Sequence, residues 1–195
     1  MVLLEANRNN PREGGPSFSW GHRIGRFLWL IVWGGLGRWT PTPMHGWRRT
    51  LLRCFGADLA KSAKIYPGVD IWLPRNLSMD AFATIGPGVN CYCMSKVSLG
   101  RHALVSQGAT LCCGTHDIDD PHLQLVVAPI HVAAEAWIAA EAFVGPGVTV
   151  GEGAVLGARG VQFRNMEPWT VYAGNPAKAI RKRRNHQFSV SPTYV

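Results

Sequence analysis

Between residues 132 and 161 the chain repeats in sixes: VAAEAW, IAAEAF, VGPGVT, VGEGAV, LGARGV. Val132, Ile138, Val144, Val150 and Leu156 recur at that period, and Ala136, Ala142, Val148 and Ala154 stand two positions ahead of the last four. A period of six suits neither a helix face nor a straight amphipathic strand. It suits a parallel β-helix, in which each short strand is followed by a turn and three strands close one coil. The aliphatic residue and its small partner then face inward, and glycine eases the backbone at the corner. A buried helical region is the competing reading. Gly145, Pro146, Gly147, Gly151, Gly153 and Gly157 oppose it, because each weakens a helix.

Upstream the rhythm is less even. Leu73, Met79, Ile85, Cys91 and Val97 keep the period, and Leu99, Val105 and Leu111 resume it two residues out of phase, so extra residues are absorbed near 92–96. A longer interruption, 115–129 (THDIDDPHLQLVVAP), is polar and carries Pro121 and Pro129. That length and composition predict a functional loop leaving the coil. Three segments are therefore expected: an arm and Trp-rich helices over 1–58, the β-helix over 59–166 with its loop at 115–129, and a tail over 167–195. The 22 glycines and 13 prolines fit a chain that turns every few residues.

Residues 1–18 read as a flexible arm. The apolar run from Arg26 to Arg38 that follows is shorter than the roughly twenty residues a bilayer requires. Five of the eight tryptophans lie between Trp20 and Trp47, a pattern that fits either an anionic membrane interface or packing within an oligomer. A second helix is expected over about 44–55, with Met44, Trp47, Leu51 and Phe55 on one face and Arg48, Arg49 and Arg53 around it. Net charge is +8 and unevenly spread: residues 1–64 hold ten Lys/Arg against three acids. Such a bias points to phosphate groups or an acidic membrane. No nucleic-acid module is recognisable, so no nucleic-acid partner is expected. Five cysteines without a secretory signal imply a reducing cytoplasm, with the protein there or peripheral at the inner membrane face. Cys91, Cys93, Cys112 and Cys113 make a poor tetrahedral set, since the first two share a strand face and the last two oppose each other, and no metal is expected.

His116 is the histidine set where regular coil gives way to loop, and its chemistry suits a general base near neutral pH. Asp117 and Asp119 are near enough in sequence to bias its tautomer. The repeats, the segment Ser106-Gln-Gly-Ala-Thr-Leu-Cys-Cys-Gly-Thr-His-Asp117 and the ending Pro168-Trp-Thr-Val-Tyr-Ala-Gly-Asn-Pro-Ala-Lys-Ala-Ile-Arg181 resemble the hexapeptide-repeat acyltransferases. Within that family the match is to the colanic-acid-biosynthesis-type O-acetyltransferases, related to galactoside and maltose acetyltransferases. It runs from about Ser17 to Arg184.

The resemblance implies a mainly β, left-handed parallel β-helix that assembles as a homotrimer, with acetyl-CoA bound between subunits as co-substrate. It implies transfer of an acetyl group to a sugar hydroxyl in surface polysaccharide or glycolipid assembly. His116 would be the base. Asn90 and Asp117 would lie on the acceptor side. Trp137 and the backbone N–H groups of Ala140 and Ala158 would line the thioester and pantetheine, and Lys178 and Arg181 would face the CoA phosphates. Phe163 departs from the small or polar residue usual near the nucleotide. Two other readings share the fold: a γ-carbonic-anhydrase-like metal enzyme, for which His102, His116 and His122 are wrongly spaced, and a non-catalytic trimeric scaffold.

Overall fold

The computed structural model describes residues 3–184, so residues 1–2 and 185–195 of the expected end segments lie outside the described residues. Three parallel sheets form the sides of a triangular prism. The first holds Asp58–Leu59, Leu77–Met79, Val97–Leu99, Ile130–Val132 and Thr149–Val150. The second runs from Lys64–Ile65 through Thr84–Ile85, Leu104–Val105, Trp137–Ile138 and Val155–Leu156 to the hairpin of Thr170–Gly174 and Ala177–Lys182. The third holds Asp70–Ile71, Asn90–Tyr92, Thr110–Cys112, Phe143–Val144 and Val161–Gln162.

The register stacks like on like. Leu59, Met79, Leu99, Val132 and Val150 pair in one inward column, and Ile65, Ile85, Val105, Ile138, Leu156 and Tyr172 in another. The small residues two ahead, Ala63, Ala83, Ala103, Ala136 and Ala154, are wholly buried at the corners. A bulkier side chain there would have to displace a neighbouring coil.

The phase of the repeats differs from the sequence reading in one place. Leu59 pairs with Met79 and Met79 with Leu99, so the first two coils each carry two residues beyond three hexads. The slip near 92–96 is present, but so is an earlier one at 72–76, where Pro74–Asn76 forms a 3-10 turn. Leu73 is not a hexad residue; it is buried beside that turn, and an aliphatic at the right spacing imitates the period.

The expected flexible arm is held against the body. Leu3 bridges to Phe18, the Ala6 amide donates to Gln124 Oε1 at 2.7 Å, and Arg12 Nη1 donates to the Pro121 carbonyl at 2.6 Å. The arm, with its short helix α1 (Ala6–Asn9), thus lies on the loop that interrupts the repeats. Helix α2 (Trp20–Val32) continues into a π-helical turn, Trp33–Gly37, and α3 spans His45–Cys54. Gly37 is required there, since a β-carbon would sit 2.3 Å from the Trp33 ring.

These helices seal the open edge of the first coil. Trp29 Nε1 donates to the Ile71 carbonyl at 2.7 Å and Trp33 Nε1 to the Val69 carbonyl at 2.8 Å. Arg49 Nη1 reaches the Ala63 carbonyl at 2.8 Å, and Arg53 Nε reaches the Leu59 carbonyl at 3.2 Å. Arg48 corrects the expected face of α3: it is buried, with Nε on the Ile65 carbonyl at 2.7 Å and its other donors on Thr40, Pro41 and Thr42, while Met44 and Trp47 are exposed. Edge-strand carbonyls need donors. Tryptophan and arginine supply donors that cannot turn into acceptors.

Candidate active site

His116 ends the strand Gly114–His116, which pairs antiparallel with Leu125–Val127 as the chain leaves the third coil. Gly114 starts that departure where a β-carbon would meet Met94 Sδ at 2.6 Å, so a larger residue would have to push the buried Met94 side chain aside. The ring of His116 is exposed, and its Nδ1 lies 2.7 Å from the Leu123 carbonyl oxygen. A carbonyl only accepts, so Nδ1 carries the proton and the Nε2 lone pair is open. Leu123 turns its carbonyl inward with φ at +51°, a conformation that leucine adopts only when its surroundings impose it.

The aspartates do not do this work. Asp117 Oδ1 accepts from the Asp119 amide at 3.1 Å, and Asp120 Oδ1 from the His122 amide at 2.7 Å, so both side chains close the loop on itself. The carbonyl of Leu123 was invisible to sequence reasoning, because any residue could supply it.

Asn90 projects from the third sheet between Asp70 and Thr110 and is exposed. Tyr92 follows on the same face, in edge contact with Trp72 at 4.7 Å. Tyr92 is also next to Gly114, so the Asn90 strand runs beside the departure of the His116 loop.

The residues expected at the thioester stand elsewhere. Ala140 is the second residue of the turn Ala139–Ala142, closed by Ala142 N–H to the Ala139 carbonyl at 3.3 Å, with Glu141 at φ +58°. Ala158 repeats that place one coil later, with Arg159 at φ +56°. Neither amide donates to a group among the described residues. The equivalent positions below are Pro67, Pro87 and Gln107, so open amides begin at the third coil on this corner. Gln107 is the member of this row that the sequence reading missed. The corner between the first and second sheets has similar turns, but it is this one that Trp137 reaches, its Nε1 donating to Ser106 Oγ at 2.9 Å.

Register also ties Trp137 to the basic tail. Trp137, Val155, Val171 and Arg181 form one line across the second sheet, spanning roughly 14 Å at the usual strand spacing. Lys178 lies opposite Ala173 on the same hairpin and is exposed. Arg183 packs back onto the coils: its Nη1 donates to the carbonyls of Glu135 and Gly153, each at 3.0 Å. Phe163 is exposed and packs on Phe143 with ring centres 5.6 Å apart.

His116 and the amide row occupy different corners of the prism, separated by the third sheet, roughly 15 Å of extended chain. His102 is stacked on Phe82 at 5.0 Å on a turn of the coil, apart from the loop that carries His116 and His122. No cluster of three His, Cys, Asp or Glu suited to a metal occurs among the described residues.

No protein-family model matches the chain. An Escherichia coli (strain K12) protein carrying the name colanic acid biosynthesis acetyltransferase WcaF, a provisional assignment, is 38% identical over 166 residues, 85% of this chain and 91% of that one. Among solved structures, a maltose O-acetyltransferase from Clostridium difficile 630 superposes with a TM-score of 0.75 at 21% identity, covering 85% of this chain and 90% of its own. A galactoside acetyltransferase in complex with coenzyme A superposes with a TM-score of 0.76 at 19% identity, covering 93% and 92%.

Proposed function

We propose that this chain, which belongs to the hexapeptide-repeat acetyltransferases of the colanic acid biosynthesis type, moves an acetyl group from acetyl-CoA to a hydroxyl of a saccharide. The observation that carries the reading is the His116 ring, held by the Leu123 carbonyl with Nε2 open. Nε2 takes the proton of the acceptor hydroxyl as its oxygen attacks the thioester carbonyl carbon. The carbonyl oxygen becomes an oxyanion, for which an open amide such as that of Ala140 is a suitable donor. Collapse of the tetrahedral intermediate breaks the carbon–sulfur bond, and the imidazolium returns its proton to the departing thiolate. The products are an acetyl ester and CoA, and no thiol of the protein takes part.

The coenzyme A bound to the galactoside enzyme supports acetyl-CoA as the donor, and the names of both sugar acetyltransferases support a saccharide acceptor. The separation of His116 from the amide row supports a homotrimer, each site using the His116 loop of one copy and the Ala140 corner of the next. Trp137 would wall the pantetheine and Lys178 and Arg181 would meet the phosphates, where cations are effective. Asn90 and Asp117 would contact the acceptor. Peripheral contact with an anionic membrane would bring the enzyme to lipid-linked saccharides.

Calorimetry with acetyl-CoA and an acetyl-transfer assay on a saccharide panel test this reading. Wild-type protein should bind about one acetyl-CoA per chain. His116→Ala should bind it equally and lose roughly 10²–10⁴-fold in kcat. Undiminished transfer by the variant would remove His116 from the mechanism.

A further inference from the structure

Helix α2 is apolar on two sides. Its inner side buries Trp29, and its outer side leaves Trp20, Ile24, Phe27, Leu28, Leu30 and Ile31 each more than half exposed, from 53% to 72%. A helix apolar all round is normally enclosed. Among the described residues no helix is long and apolar enough to cross a membrane, so the outer side calls for a covering surface rather than a spanning role.

The electrostatics select the covering. Residues 19–57 contain six arginines and no acid. Arg23 and Arg26 stand on α2 beside its exposed apolar residues and form no salt bridge among the described residues. A covering surface of negative charge suits that side.

Beside the helix, a cleft of about 200 Å³ is lined by Phe18, Phe27, Leu30 and Trp72, with Arg23 and Arg26 at its charged side. His22 also lines it. Arg75 Nη2 lies 3.4 Å from His22 Nδ1, and an arginine can only donate, so Nδ1 accepts and Nε2 carries the hydrogen. That Nε2–H and the Trp72 Nε1–H are both buried without an acceptor. Unsatisfied buried donors are rare and call for a partner. Apolar walls beside two guanidinium groups fit an anionic head group with a hydrocarbon chain.

We propose that the outer side of α2 and the adjoining cleft dock this protein on an anionic phospholipid surface, with the helix lying in the plane of the head groups. Tryptophans at its margins, Trp20 and Trp39, are 72% and 78% exposed and stand where an interfacial helix places them. This docking is independent of the acetyl-transfer reading.

Sedimentation of the full chain with vesicles tests it. Vesicles of equal phosphatidylglycerol and phosphatidylcholine should carry the protein down, and phosphatidylcholine alone or high salt should weaken binding at least about tenfold. The variant Ile24→Asp/Phe27→Asp/Ile31→Asp alters only exposed positions and should melt like wild type, keep its acetyl-CoA affinity and lose vesicle binding. Absence of wild-type binding to the anionic vesicles, or binding unaltered by the triple change, would overturn the proposal. A change in oligomeric mass on making the triple variant would also overturn it, assigning the face to a contact between copies.

Discussion

At the scale of single residues, Ala140 is informative because its side chain offers nothing. It occupies the second place of a turn whose third residue, Glu141, has φ +58°, and Pro67 and Pro87 fill that same place in the first two coils. Proline is favoured there by its fixed φ. Ala140→Pro should therefore leave the melting temperature nearly unchanged while deleting one N–H. If that amide stabilises the oxyanion, kcat should fall by about 10²–10³-fold. Steady-state kinetics beside a thermal melt check both halves, and unaltered kcat would remove Ala140 from the donor set. The sequence exposed His116 because a lone histidine at the break of a repeat is conspicuous. It hid Leu123 and Gln107 because what each offers is a main-chain group, and a main-chain group has no letter.

At the scale of elements, the hexads were readable wherever strand and turn lengths were constant, and misread at 72–76, where buried Leu73 kept the spacing without the strand. The helices were readable as helices, but their role was not. Nothing in the run Trp29-Leu-Ile-Val-Trp33 announces that indole N–H groups will meet carbonyls of residues 69 and 71. Their histidines make the segment sensitive to acid. Burial, Arg75 and Arg26 hold His22 below the usual 6.5, and burial does the same for His45. The unfolded chain takes up protons at these sites near pH 6.5 and the folded chain does so only at lower pH, so stability falls as pH drops below about 6.5. Melting temperature should decline from pH 7.5 to 5.5, and the decline should shrink in His22→Gln/His45→Gln. An identical slope in the variant would assign the acid sensitivity to other groups.

At the scale of the whole molecule, the prism divides its chemistry between two corners, and the homotrimer is the proposed means of reuniting them. Light scattering should give a mass near three times the 21.3 kDa chain. A monomer with full transferase activity would overturn the proposal that two copies share each site. The sealing of the first coil has a further consequence for such a body. A solenoid with bare strands at both ends is a template for its own stacking, and copies would add end to end into fibres. The tryptophan and arginine side chains occupy strand carbonyls of the first coil, so a second molecule finds those acceptors already taken at that end. The first coil is thus capped as a polymer chemist caps a growing chain: by end groups that cannot propagate.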